Sequence, residues 1–386
     1  MGRIEEFLKK RQQDNLLRVL KPATSRGQGL RLFKGREYID LSSNDYLGFS
    51  THPKLKQAAK EVVDKLGVGS SASRLLSGDL DIYHRLEEET ADFKGKERAL
   101  IFNSGYQANL GIISALCQRG DVIFSDKLSH ASIIDGIILS GAKFFRFSHN
   151  DSNHLEQLLK EQRHKFQEAL IITESVFSMD GDKPALGELV SLKEKYNCKL
   201  MVDEAHATGI FGKSGAGVVE EAGVVKKIDL IMGTFSKALG SFGGYVSGSK
   251  SLVDYLINTA RSFIYSTALP PAVIAANLAS LELVEEEPQR RRDLISNADY
   301  FRKNLKEAGF KIRGSSQIVP LIVSDNQKVI KISQELQKKG YWVFPIRPPT
   351  VPTGESRLRF SLTYHHSKEV LERLIKDLCQ SQFLNI

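Results

Sequence analysis

Between residues 79 and 250 the chain alternates short apolar runs with longer amphipathic ones, and this rhythm limits its folds more than any other feature. The apolar runs at 98–102, 122–125, 143–147, 169–173, 199–203 and 228–233 have strand length. The stretches 105–118, 151–167 and 186–197 between them have helical spacing. Strands that read as continuous apolar runs are buried on both faces, and strands separated by helices pair in parallel. The expectation is an α/β fold: a large, mainly parallel sheet domain with helices on both faces. In such sheets ligands bind beyond the carboxyl ends of the strands, so the residues that follow each run matter most.

Two of those ends carry ionisable groups. Asp203 closes the run Lys199-Leu200-Met201-Val202, and Lys237 follows Leu230-Ile231-Met232 within Thr234-Phe235-Ser236-Lys237-Ala238-Leu239-Gly240. Desolvation lowers an amine's pKa and makes it a nucleophile toward carbonyls. Singly, each residue is ordinary, because most lysines are solvated and most lone aspartates cap a turn. Together they suit one chemistry: an imine between Lys237 and pyridoxal phosphate (PLP), with Asp203 paired to the ring nitrogen so that the ring stays protonated.

Other strand ends are consistent with this. Asn103-Ser104-Gly105-Tyr106-Gln107-Ala108-Asn109 opens a helix, where free amides hold phosphate well; the plain alternative is a serine N-cap. Ser125 to Ser132 contains His130 at a helix start, a position more often used for capping or packing. Val176-Phe177-Ser178-Met179-Asp180-Gly181 follows the fourth run, and His206 stands three residues beyond Asp203.

The strings Asp203-Glu204-Ala205-His206-Ala207-Thr208-Gly209 and Thr234 to Gly240 resemble the fold-type I PLP enzymes and, among them, the α-oxoamine synthases. The likeness extends in family order over essentially the whole chain, through Ser43-Asn44-Asp45-Tyr46-Leu47-Gly48 and the small-residue loop Gly67 to Gly78. Ser71-Ala72 departs from the family's usual Gly-rich pair. The resemblance implies a fold-type I PLP-dependent transferase, with Lys237, His130 and Asp203 catalytic. It further implies that Ser104, Gly105 and Tyr106 lie near the phosphate, that Ser178 and His206 lie near the ring hydroxyl, and that Thr234 and Ser236 flank the lysine. His130 is implied to stack on the ring. The resemblance also implies a homodimer with active sites at the interface, Thr267 of Tyr265-Ser266-Thr267-Ala268-Leu269-Pro270 reaching the neighbour's phosphate.

The C-terminal part changes character. A helical region at 271–308, broken at Pro288, precedes strands at 317–323, 341–346 and 357–362 and helices at 327–339 and 367–380, which together read as a smaller α+β domain. Expected divisions are an N-terminal arm and small segment over 1–45, a PLP-binding domain over 46–280 and a small domain over 281–386. Residues 4–20 read as an amphipathic helical arm carrying Arg18. Arg357 and Arg359 alternate on one strand face, where an arginine can hold a carboxylate bidentately.

Family members join an amino acid to an acyl thioester with loss of CO2. Arg347-Pro348-Pro349-Thr350-Val351-Pro352-Thr353-Gly354 resembles those that use L-alanine and a pimeloyl thioester, on CoA or an acyl carrier protein, for biotin synthesis; Ser73 before Arg74 also resembles the alanine users. On this resemblance Arg359 holds the alanine carboxylate, Asn44, Ser73, His130 and Thr350 contact substrate, and Arg18 reads the acyl chain. A glycine-using synthase and an aminotransferase remain open, as does a non-catalytic anion- or RNA-binding protein.

The last alternative is motivated by charge: 54 Lys and Arg against 46 Asp and Glu leave +8. No basic run is interleaved with aromatics and no apolar run approaches membrane-spanning length, so neither nucleic acid nor a membrane is an expected partner. Three separated cysteines, Cys117, Cys198 and Cys379, argue against a disulfide framework or a metal site. The acidic, weakly apolar start does not read as a signal peptide, and a cytoplasmic location is expected.

Overall fold

A computed structural model describes residues 2–380; residues 381–386, the end of the expected small domain, lie outside them. The chain divides into two compact units, one formed by residues 49–178 and 183–292 and the other by residues up to 48, 179–182 and those from 293 onward.

The first unit is built on a seven-stranded sheet. Its order is Arg98–Phe102, Gly244–Gly248, Leu230–Thr234, Lys199–Asp203, Ala169–Glu174, Val122–Asp126 and Lys143–Phe147. Every strand expected from its apolar run is present. Gly244–Gly248 was not expected and runs antiparallel to both its neighbours, so the sheet is mixed. Glycines at both ends and a single β-branched residue give this segment little strand signal. They also give it its place: a Cβ on Gly244 would stand 2.6 Å from the Gly105 nitrogen.

Apart from the exposed edge strand Lys143–Phe147, both faces of this sheet are covered, which is why its strands lack polar alternation. Leu100, Ile123, Leu170, Met201, Leu230 and Val246 pack on one side against Ile112, Ile133, Ile137 and Leu256 of the helices Gly105–Leu116, Ala131–Ser140 and Lys250–Thr259. Their strand neighbours Ala99, Val122, Ile171, Leu200, Ile231 and Tyr245 are buried as well. Each such side chain contributes on the order of 1.5–3 kcal/mol of burial. The resulting platform fixes the carboxyl ends of the strands.

The second unit holds two smaller sheets. Ser25–Gly27, Leu30–Phe33, Arg36–Asp40 and Tyr341–Trp342 form one; Ile318–Ser324, Ser356–Ser361 and Pro345–Ile346 form the other. The single strand expected over 341–346 is thus two, in different sheets. Between them the backbone is taken up by side chains: Phe344 N–H donates to Ser42 Oγ (3.2 Å) and the Ser333 hydroxyl to Val343 O (2.6 Å). The expected break at Pro288 separates Pro271–Glu286 from Pro288–Glu307.

The N-terminal helix is shorter than its apolar spacing suggested. It spans Arg3–Gln13, buries no residue and leaves Ile4, Phe7 and Leu8 exposed. Asn15 adopts φ +55°, Asn15 N–H bonds Gln12 O, and Leu16 N–H bonds Arg11 O, a paired C-terminal cap that stops the helix. Arg18 therefore lies beyond the helix, on an irregular segment.

Candidate active site

Five strand ends of the first unit converge on a cavity of about 200 Å³. Asp203 closes Lys199–Asp203 and is 5% exposed, with Oδ1 accepting from Ala205 N–H (2.9 Å) and Oδ2 from Asn109 Nδ2 (2.9 Å). Its neighbour Glu204 is turned away and buried in an ion pair with Lys94 (2.7 Å). Strand alternation thus decides which of two adjacent carboxylates faces the cavity.

Lys237 follows Leu230–Thr234, and its Nζ lies 2.9 Å from His206 Nε2. The loop that carries it connects Thr234 to its register partner Gly244. Thr234 Oγ1 braces this loop, donating to Gly243 O (2.6 Å) and accepting from Ser236 N–H (3.1 Å). Gly105 and Tyr106 open the helix Gly105–Leu116, capped by Ser104, whose Oγ accepts from Gln107 N–H (3.2 Å). The serine cap and the helix start expected to hold phosphate are therefore one feature.

His130 caps Ala131–Ser140: its Nδ1 accepts from Ser132 N–H, and its own N–H donates to Glu174 Oε1 (2.6 Å). Desolvation by the surrounding walls holds its pKa below the ordinary histidine value, although Asp203 and Asp135 act in the opposite direction. Tyr106 stands edge-on to this ring at 6.4 Å, and its hydroxyl bonds Asp135. Glu174 is 3% exposed; burial, and then the Asp203 charge, push its pKa up to about 8.

The cavity thus brings together Gly105, Tyr106, His130, Asp203, His206, Thr234, Ser236 and Lys237. Ser178 is half-buried beyond Ala169–Glu174 and is not part of that lining. Ser73 and Thr267 form an isolated bridge, with Thr267 O accepting from Asn103 Nδ2 (2.8 Å). Three polar lining residues escaped the sequence reading: Asn109, Ser132 and Glu174. Asn109 and Ser132 lie inside strings already singled out and Glu174 directly follows the apolar run 169–173, but a polar residue there looks like an ordinary cap or strand terminus.

The remaining expected residues lie in the second unit. Arg359 is 8% exposed, and its guanidinium nitrogens lie 3.3 Å from Asn44 Oδ1 and 3.4 Å from Tyr46 Oη. Arg357 is buried against Asp180 (2.8 Å) and Glu355 (2.8 Å), which makes it a structural arginine. Arg18 Nη2 donates to Thr350 Oγ1 (3.2 Å), and both line a second cavity of about 550 Å³ with Leu17, Lys21, Ile346 and Arg347.

The residues of the first cavity fit PLP. Both hydrogen-bond donors to Asp203 are neutral, so this buried carboxylate suits a protonated ring nitrogen. Gly105 leaves room above Met232 and Thr234, since a Cβ there would stand 3.1 Å from Met232 Cε.

Residues 36–378 match the family model described as aminotransferase class I and II. A serine palmitoyltransferase from Sphingomonas wittichii superposes with TM-score 0.94 at 32% identity, covering 99% of this chain and 97% of that one. An SPT structure solved with PLP gives 0.92 at 31% identity, over 98% and 96%. The chain belongs to the aminotransferase class I and II family and is a fold-type I, PLP-dependent transferase. A curated relative from Geobacter sulfurreducens, named 8-amino-7-oxononanoate synthase, is 51% identical over 372 residues, 95% of each chain. Within the family the chain groups with relatives of that name, as an acyl-transferring enzyme.

Proposed function

We propose that the enzyme condenses L-alanine with a pimeloyl thioester, carried on CoA or an acyl carrier protein, to give 8-amino-7-oxononanoate, CO2 and the free thiol in biotin synthesis. The observation that carries the substrate assignment is the Arg18–Thr350 hydrogen bond in a cavity walled by both apolar and cationic side chains. Such a cavity suits a long apolar chain ending in a polar or anionic group.

PLP, when bound, supplies an electron sink for the pair left at the amino acid Cα. Asp203 holds a proton on the ring nitrogen, which keeps that sink strong. Lys237 holds the cofactor between turnovers and, once released, takes the Cα proton. The Lys237–His206 contact keeps the amine within reach, and His206 with Ser178 binds the ring oxygen. Ser104, Gly105 and Tyr106 hold the phosphate through the helix start, and Thr234 and Ser236 fix the lysine loop.

Arg359, oriented by Asn44, binds the alanine carboxylate. Ser73 leaves room for the alanine methyl group. His130 packs on the ring and donates to the thioester oxygen while Cα attacks the acyl carbon and the thiolate leaves. Thr350 contacts the substrate near the reacting centre, and Arg18 reads the acyl chain. The enzyme works as a cytoplasmic homodimer, with Thr267 serving the neighbour's phosphate site. The test is a matrix of amino acids and acyl thioesters followed by product mass; a product formed only from glycine would refute the alanine assignment.

A further inference from the structure

A relay of hydrogen bonds joins His130 to Asp203. His130 Nδ1 lies 2.8 Å from Ser132 Oγ, Ser132 Oγ lies 2.9 Å from Asn109 Nδ2, and Asn109 Nδ2 lies 2.9 Å from Asp203 Oδ2. The direction of each bond follows from the acceptor at its far end. A carboxylate oxygen only accepts, so the Asn109 atom facing Asp203 is the amide nitrogen. That nitrogen carries two hydrogens, one for Asp203 and one for Ser132 Oγ. Because the Ser132 backbone N–H can only donate, His130 Nδ1 is an acceptor, and the Ser132 hydroxyl directs its hydrogen to that same nitrogen. The backbone N–H of Ser132 points at the same atom (3.2 Å). With two donors aimed at it, Nδ1 has no room for a proton. In the neutral ring the proton sits on Nε2, which has no hydrogen-bond partner among the described residues, on a side chain that lines the cavity.

We propose that Ser132 and Asn109 are positioning residues that lock His130 in the Nε2–H tautomer and oppose its protonation. His130 then offers the reacting carbonyl a neutral, pre-aimed donor, with no need to reorganise as charge develops there. The purpose of that donor rests on the acyl-transfer reading above; the tautomer itself does not.

The charged and titratable groups around the ring come from several elements. Asp203 ends Lys199–Asp203, Lys237 follows Leu230–Thr234, Glu174 ends Ala169–Glu174, Tyr106 opens Gly105–Leu116, and Asp135 shares the helix of His130. Asp203 and Asp135 favour the imidazolium and Lys237 opposes it. The relay adds a directional obstacle that charges alone do not supply: a proton on Nδ1 would meet the hydrogens of an amide and a hydroxyl.

The test uses PLP-loaded enzyme labelled with 15N-histidine, with His130 assigned by loss of its signals in His130→Gln. Long-range 1H–15N correlation should show Nδ1 bare and Nε2 protonated through neutral pH. In Ser132→Ala the Nδ1–H tautomer should gain population and the ring should titrate higher by roughly half to one pH unit, as expected for one lost hydrogen bond. The same variant should lose roughly tenfold in kcat with little change in the amino-acid KM, and Ser132→Thr should restore the tautomer and the rate. A protonated Nδ1 in the unaltered enzyme would overturn the proposal, whatever the variants do. So would a His130 titration and tautomer that Ser132→Ala leaves unchanged. Because the tautomer is read without substrate, an error in the substrate assignment would leave this result standing.

Discussion

Lys237 Nζ and His206 Nε2 meet at 2.9 Å although 31 positions separate them in sequence. Each stands three residues beyond the end of a strand, and the two strands, Lys199–Asp203 and Leu230–Thr234, are parallel neighbours. One pairing of strands therefore sets the amine, its ring partner and Asp203 together.

The first prediction concerns that amine. Borohydride treatment of the holoenzyme should fix PLP to the peptide containing Lys237, and peptide mass mapping reads the result. Lys237→Ala should fold and retain some PLP through Asp203 and the helix start, yet lose turnover by about a thousandfold or more, as expected when a general base is removed. Label recovered on a different lysine would contradict the assignment.

Asp203→Asn should keep the fold and much of the cofactor while kcat falls roughly 100- to 1000-fold. A neutral amide cannot hold a proton on the ring nitrogen. It also faces two donors, Ala205 N–H and Asn109 Nδ2, with only one oxygen. Steady-state kinetics beside cofactor content separates the two effects, and near-normal kcat would mean that Asp203 is not the ring's partner.

Arg18→Ala removes the donor to Thr350 Oγ1 from the larger cavity. A charged hydrogen bond is worth about 1.5–3 kcal/mol, so the pimeloyl thioester KM should rise roughly 10- to 100-fold. The alanine KM should stay nearly constant, because Arg359 is assigned that carboxylate. Equal effects on both substrates, or no effect on either, would make this arginine structural.

Glu174 should make stability depend on pH in a defined sense. Its pKa rises from 4.5 to about 8 in the folded chain, chiefly through burial. The folded state therefore holds this proton more tightly than the unfolded one. The contribution is full below the ordinary carboxylate pKa and is lost as pH climbs toward 8, at no more than about 1.4 kcal/mol per pH unit. Glu174→Gln keeps a neutral acceptor for His130 N–H and should flatten that slope in the PLP-free protein. Denaturant melts across this range provide the check, and identical slopes for both proteins would count against it.

Much of this architecture was legible because burial on both faces writes itself as uninterrupted apolar runs; Leu200-Met201-Val202 and Leu230-Ile231-Met232 show this. The antiparallel strand Gly244–Gly248 was hidden because the need for close approach at Gly105 selects glycine, which carries no strand signal. Helical spacing extended the N-terminal helix too far, since Leu16, Leu17 and Leu20 keep the periodicity after Asn15 has already turned the chain. Lys237 and Asp203 stood out as charges beside apolar residues. Asn109, Ser132 and Glu174 did not, because their importance lies in what they touch, and those contacts join two strands and two helices.

The connection between Thr234 and Gly244 has a consequence for timing. Phe235 N–H bonds Gly243 O (3.0 Å), Ser241 N–H bonds Phe235 O (2.9 Å), and Gly240 N–H bonds Lys237 O (3.0 Å). The backbone at the base of the lysine is therefore braced, and the freedom to swing belongs to its four-carbon stem. On the proposed role of Lys237, its return to the cofactor at the end of each cycle is a unimolecular step, with an effective concentration far above that of any dissolved amine. A small amine supplied to Lys237→Ala enzyme lacks that tether, so chemical rescue should be slow even when the amine fits the vacated space.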